Sequence, residues 1–168
     1  MVPIEIERKF LIRMPNEKML SGLENARKKQ ITQIYLLAND GITARVRKIE
    51  ENGKTTYVKT EKSRISALSH YENEFEITKE QYENELLLRD KSKKAIEKIR
   101  YCIPHENHIL EIDIYPFWHD RAVLEIELGD ENESFDIPAY INVIKEVSDD
   151  KRYKNTNLAL EIPMDDIG

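Results

Sequence analysis

The chain has 168 residues, 26 of them Lys or Arg and 32 Asp or Glu, for a formal net charge of −6. That length suits one domain spanning 1–168 with a buried core and no covalent staples, and the acidic balance argues against nucleic acid as a partner, which calls for a basic face. No apolar run approaches the roughly 18 residues of a membrane-spanning helix, so no membrane partner is expected. The single cysteine, Cys102, excludes an internal disulfide, and with no signal-peptide core at the N-terminus the expectation is a cytoplasmic protein.

Strand-like segments follow one another near residues 3–12, 30–37, 42–50, 54–61, 70–78, 95–103, 107–115, 121–128 and 142–148. Glu51-Asn52-Gly53-Lys54 reads as a hairpin with Asn-Gly at its centre, and Pro104 to Asn107 as a second turn. Helical signals fall between the strands. Residues 15–26 hold room for one helix. Thr78-Lys79-Glu80-Gln81 has the capping-box spacing, and its helix would run to Leu88 with Tyr82 and Leu86 on one face. Ser148-Asp149-Asp150 would cap a third, running through Tyr153 and Asn157 to Leu160. Eight or nine mostly antiparallel strands with few helices suggest an α+β fold or an all-β barrel.

Within these strands, charged residues two apart flank an apolar one, and each run keeps one sign. The acidic runs are Glu5-Ile6-Glu7, Glu74-Phe75-Glu76, Glu111-Ile112-Asp113 and Glu125-Ile126-Glu127; the basic runs are Arg45-Val46-Arg47 and Lys98-Ile99-Arg100. Alternate side chains of a strand point to opposite faces, so each run sets two like charges side by side. Such rows repel unless something neutralises them. Divalent cations such as Mg²⁺ or Mn²⁺, which prefer carboxylate oxygen, would serve the acidic rows, and a polyanion the basic ones. Charged residues make up 35% of the chain, and a barrel with a charged interior would take up part of them. The apolar alternates, among them Ile6, Val46, Val58, Phe75, Ile112 and Ile126, would then face outward under the helices.

There is no G-x-G-x-x-G or Walker A sequence, so side chains rather than a backbone nest would have to bind phosphate. His105-Glu106-Asn107-His108 reads as a surface turn rather than a zinc site, and Cys102 as core filler.

The ordered motifs resemble a known family. Glu5-Ile6-Glu7-Arg8-Lys9 is similar to the E-x-E-x-K signature of the CYTH superfamily, the triphosphate tunnel metalloenzymes. In order follow Gln33-Ile34-Tyr35-Leu36 (compare Q-G-Y-L), Arg45-x-Arg47, Thr56-Tyr57-Val58-Lys59 (compare T-x-K), Lys98-x-Arg100 and Leu124-Glu125-Ile126-Glu127-Leu128 (compare A-E-V-E-L). Arg152-Tyr153-Lys154-Asn155 opens a stretch similar to R-Y-x-N-x-N-L-A. The resemblance implies a closed eight-stranded antiparallel β-barrel with a few covering helices. It implies Mg²⁺ or Mn²⁺ on Glu5, Glu7, Glu125 and Glu127, and a small-molecule triphosphate clasped by Lys9, Arg45, Arg47, Lys59, Lys98, Arg100 and Arg152. Glu74, Glu76, Glu111 and Asp113 would be supporting acids, and Lys98 with Tyr35 a water-activating pair. Ile34 stands where the family usually has glycine, which bears on how Tyr35 is set.

The leading expectation is metal-dependent hydrolysis of inorganic tripolyphosphate or a nucleoside triphosphate, releasing orthophosphate. A class IV-type adenylyl cyclase would need an adenine pocket. A thiamine triphosphatase would need an aromatic platform, for which Trp118 and Tyr140 are candidates. A polyphosphate-binding sensor would keep the basic rows but could dispense with the metal carboxylates.

Overall fold

A computed structural model describes residues 3–168. Nine strands form one sheet: β1 (Ile4–Arg13), β2 (Arg27–Leu36), β3 (Ile42–Glu51), β4 (Lys54–Arg64), β5 (Ser69–Ile77), β6 (Ile96–His105), β7 (His108–Ile114), β8 (Arg121–Leu128) and β9 (Val143–Glu146). Each matches a segment expected from the sequence. The β3–β4 hairpin turns on Asn52 (φ 50°) and Gly53 (φ 77°), both in the left-handed region that this two-residue turn requires, with Glu51 opposite Lys54. The β6–β7 turn is tighter than expected: Pro104 and His105 stay in β6, and Glu106 takes positive φ.

All neighbours are antiparallel, in the order β5-β4-β3-β2-β6-β7-β8-β1, and β1 pairs again with β5. The sheet therefore closes into the expected eight-stranded barrel. β1 makes the closure by dividing one edge: Ile4 to Ile6 pair with β5, while Phe10 to Ile12 pair with the short β9 across a register shift at Leu11/Ile12. Its other edge runs along β8 from Ile6 to Arg13.

Helix α1 (Glu17–Ser21) starts where the Asn16 side chain accepts from Met19 N, and α2 (Lys79–Glu85) carries the full Thr78/Gln81 capping box before a 3₁₀ turn at Leu86–Leu88. The expected third helix is broken. Asp150 caps a single 3₁₀ turn (Lys151–Tyr153), Lys154 is extended (ψ 138°), and α3 (Asn155–Leu158) is one turn long.

The barrel is covered outside and plugged at one end. Phe10, Ile12, Leu110, Ile112, Leu124 and Ile126 face outward beneath α1 and the 129–141 segment, which adds Phe135 and Ile141. Ile34, Ala44 and Val46 face outward beneath Tyr82 of α2. A further apolar cluster lies on the inner face. Leu11, Tyr115 and Val123 continue the inward rows of Lys9, Asp113 and Glu125, and they pack with Trp118, Tyr153 and Leu158. Fully burying a Leu or Val there contributes about 1.5–3 kcal/mol. The inner wall is thus charged along its middle and apolar at this end. Val58 departs from the expectation by facing inward, in the same row as Thr60.

Candidate active site

Alternation along eight strands brings both charge rows to one interior cavity of about 420 Å³. Its walls include Glu5, Glu7 and Lys9 from β1, Tyr35 from β2, Arg45 and Arg47 from β3, Glu74 from β5, Arg100 from β6, Glu111 from β7, and Glu125 and Glu127 from β8. A second cavity, toward the Asn52–Gly53 turn, shares Arg47, Glu74, Arg100 and Glu111 with the first. The two meet at a waist made by the pairs Arg47–Glu74 (2.5 Å) and Arg100–Glu111 (2.9 Å).

Two kinds of carboxylate stand in this cavity. Glu125 lies 3.3 Å from Lys9 Nζ and 3.7 Å from Arg100 Nη2. Burial alone would push its carboxyl up, but Lys9, Arg100 and Lys98 outweigh it and hold the group far below the usual range. Glu7 and Glu127 face each other directly across β1 and β8, and neither has an ion-pair partner among the described residues. Burial, then the neighbouring Glu125 charge, pushes Glu7 up to about 7; burial, then Glu5 and Glu111, pushes Glu127 up. Glu5 is also raised to about 7, by burial and a hydrogen bond with Glu72, although Lys62 Nζ lies 2.7 Å from its Oε1. Three cavity carboxylates short of positive charge, Glu5 and Glu7 half-buried and Glu127 more exposed, fit a hard divalent cation chemically. They are not drawn into a ready cage: among the described residues the trio of ligand-type side chains with donor atoms within 4.8 Å of one another is His105, Glu106 and Asp136, at the surface. His105 and His108 pair separately, with Asp136 (2.7 Å) and Glu133 (2.5 Å).

The cations are likewise divided. Arg45 has no ion-pair partner among the described residues, and its buried Nε finds no acceptor. Arg47 is held by Glu74, which also accepts from Thr60 Oγ1 at 2.8 Å. Arg100 grips Asp113 with Nε (2.7 Å) and Nη2 (2.9 Å). Lys98 Nζ sits 2.9 Å from Asp113 Oδ2, the oxygen that Arg100 Nη2 also binds; both side chains are fully buried, and the contact is an ion pair without hydrogen-bond geometry. Burial lowers Lys98 to about 7, against the opposing pull of Asp113. Neither Lys98 nor Asp113 reaches the cavity surface; they form its backing. Tyr35 does reach it, and its oxygen accepts from Gln33 Nε2 at 2.6 Å. Ile34 causes no disturbance, since it points to the outer layer under α2.

Three expected positions fall outside. Lys59 lies directly opposite Val46, on the outer face, and pairs with Glu85 of α2 at 3.1 Å. Arg152 is on the surface, bound to Asp150 (2.7 Å) and Asp165 (2.8 Å). Glu76 is exposed and lines neither cavity. In their place stand Lys62, Arg64, His70, Glu72 and Lys154. Two signals could have found Lys62. The two-residue hairpin sets Glu51 opposite Lys54, which puts Arg45 opposite Thr60 and therefore Lys62 in the same row. Thr60-Glu61-Lys62 also has the literal T-x-K spacing, which Thr56 to Lys59 lacks.

A family model described as the CYTH domain matches residues 3–153. The inorganic triphosphatase of Nitrosomonas europaea is 33% identical over 165 residues, covering 95% of this chain and 99% of that protein. The crystal structure of the inorganic triphosphatase NE1496 superposes with a TM-score of 0.57 at 30% identity, over 98% of this chain and 99% of that one. The PH1819 protein from Pyrococcus horikoshii OT3 shares the fold, with a TM-score of 0.58 at 22% identity over 76% of this chain and 80% of its own.

Proposed function

Because this chain belongs to the CYTH domain family, we propose that it is a metal-dependent triphosphatase that releases orthophosphate from inorganic tripolyphosphate. The observation that carries this reading is the opposition, inside one cavity, of unpaired carboxylates (Glu7 and Glu127) and an unpaired guanidinium (Arg45). A sensor of phosphate alone has no use for the first.

Glu5, Glu7 and Glu127, with Glu125 at their edge, would hold Mg²⁺ or Mn²⁺, and such an ion supplies charge neutralisation and polarisation at a phosphoryl oxygen. The chain's own groups do the rest. Arg45, Arg47, Lys62 and Arg100 line the cavity as donors and offset the charge that builds on the transferred phosphoryl group. Because Tyr35 oxygen accepts from Gln33, its own proton is left to donate into the cavity. Lys98 has no surface there, so we assign it to positioning: with Asp113 it fixes the Arg100 fork.

The thiamine triphosphatase alternative loses its anchor. Trp118 is sealed in the inner plug, with its Nε1 donating to Pro163 O, and Tyr140 packs on the outer cluster. Neither offers a platform for thiamine. With Mg²⁺ or Mn²⁺ and, separately, tripolyphosphate, ATP and thiamine triphosphate, the expected result is orthophosphate from tripolyphosphate at a kcat/KM about tenfold or more above either organic substrate. Cyclic AMP as the main product from ATP, or a preference for thiamine triphosphate, would overturn the assignment.

A pH dependence follows from Glu5 and Glu7. With no ion bound, each binds its proton more tightly folded than unfolded. Their contribution to stability is full below the unfolded value of 4.5 and is lost as pH rises through about 7. A divalent cation must displace those protons. The rise in melting temperature on adding Mn²⁺ is therefore expected to be larger at about pH 8 than at about pH 5.5. Calorimetry in two buffers of different ionisation enthalpy should also register proton release below neutrality.

A further inference from the structure

Lys62 is delivered by β4 between Thr43 of β3 and Glu72 of β5, in the row that continues from Thr60. Its ammonium nevertheless leans to the acidic wall, 2.7 Å from Glu5 Oε1 and 3.8 Å from Glu72 Oε2. The other cavity cations differ from it. Arg47 and Arg100 are planar forks fixed by Glu74 and Asp113, and Lys9 is one of several cations gathered around Glu125. Among the described residues Lys62 alone is paired with a carboxylate of the under-neutralised set, and it sits on a flexible four-carbon stem. One ammonium cannot satisfy that set, since Glu7 stays unpaired beside Glu5. A divalent cation there would satisfy it better and would repel the ammonium at short range. The nearest place for a displaced ammonium is the cavity that Lys62 already lines.

We propose that Lys62 is an exchangeable counter-ion, holding the acidic wall while no divalent cation is there and turning to the triphosphate when one displaces it. This rests on the site reading above and adds to it a coupling: ion and triphosphate should strengthen each other's binding through one side chain.

The test is binding of Mn²⁺ to the full chain, read from the loss of the free-ion EPR signal, with and without an imido-bridged tripolyphosphate that resists hydrolysis. Wild type, Lys62→Met and Lys154→Met are compared. Lys154 also lines the cavity, without an ion-pair partner among the described residues, so it controls for loss of one positive charge. Lys62→Gln is read in the same way should the methionine variant not fold. Lys62→Met is expected to bind Mn²⁺ about five- to tenfold tighter without the analogue, and the strengthening by the analogue should shrink by a similar factor. Lys154→Met should keep the wild-type strengthening. Unchanged or weaker Mn²⁺ binding in Lys62→Met, an unchanged strengthening, or the same two changes in Lys154→Met would each overturn the proposal. Failure of the functional reading registers separately, as no orthophosphate from tripolyphosphate with the wild type.

Discussion

Glu7→Gln is expected to abolish orthophosphate release from tripolyphosphate, by a factor on the order of a thousand, and to make the protein more stable at the same time. The two effects have one cause. Glu7 is half-buried near Glu125 and Glu5, directly across from Glu127, with no ion-pair partner among the described residues. At about pH 8 it must be charged in a place that favours the protonated form. The isosteric amide removes that repulsion, for a gain of about 1 kcal/mol once the cost is shared with its coupled neighbours. In a chain of this size that is a rise of about 2–4 °C in melting temperature. A residue kept at a cost to the fold is one retained for function. Thermal melts without divalent cation, beside a phosphate-release assay with Mn²⁺, check both halves. Loss of activity together with loss of stability would mark Glu7 as a structural residue, and undiminished turnover would remove it from the ion site.

How the sequence shows this site, and where it does not, follows from what fixes a side chain's direction. The strands and the opposed charge rows were legible because period-2 alternation is local: Glu5 and Glu7, or Arg45 and Arg47, must share a face whatever the rest of the chain does. Barrel closure was legible through the motif order of a family. Lys59 was misplaced because the face of a strand depends on register, and a shift of one residue inverts every side chain on it. Here the hairpin at Asn52-Gly53 fixes that register and sends Lys59 to α2 and Lys62 to the cavity. Arg152 and Lys154 lie outside any such rule. Their directions come from how the chain after β9 packs: Asp150 and Asp165 draw Arg152 to the surface, and the extended Lys154 is left facing the cavity. The inner plug was hidden for a similar reason. Leu11, Tyr115 and Val123 continue charged rows, and only the strand ends reveal that the interior changes from charged to apolar.

Asp113→Ala is expected to be the most damaging single change to the fold, and adding Lys98→Met should recover part of the loss. Asp113 is fully buried and holds two cations at once, Lys98 Nζ at 2.9 Å and the Arg100 fork at 2.7 and 2.9 Å. Removing one partner from a buried ionic cluster leaves uncompensated charge and costs about 3–5 kcal/mol, or about 10 °C in melting temperature for a chain of this length. Arg100 keeps Glu111 and Glu125 after the change; Lys98 keeps no close carboxylate. Its ammonium, already lowered to about 7 by burial, would lose its strongest support and turn neutral. Replacing it with methionine in the same variant removes that burden, so the double variant should melt above Asp113→Ala alone, whereas Lys98→Met alone should cost only about 1–2 kcal/mol because Arg100 still satisfies Asp113. Denaturant melts of the three variants at about pH 7 give the coupling directly. If the second substitution recovers nothing, Lys98 has found water or another anion and so has a path to the cavity. That would restore it as a candidate for proton transfer. If recovery is found while turnover of tripolyphosphate stays low, then Lys98 serves by holding Asp113, and Asp113 by aiming Arg100.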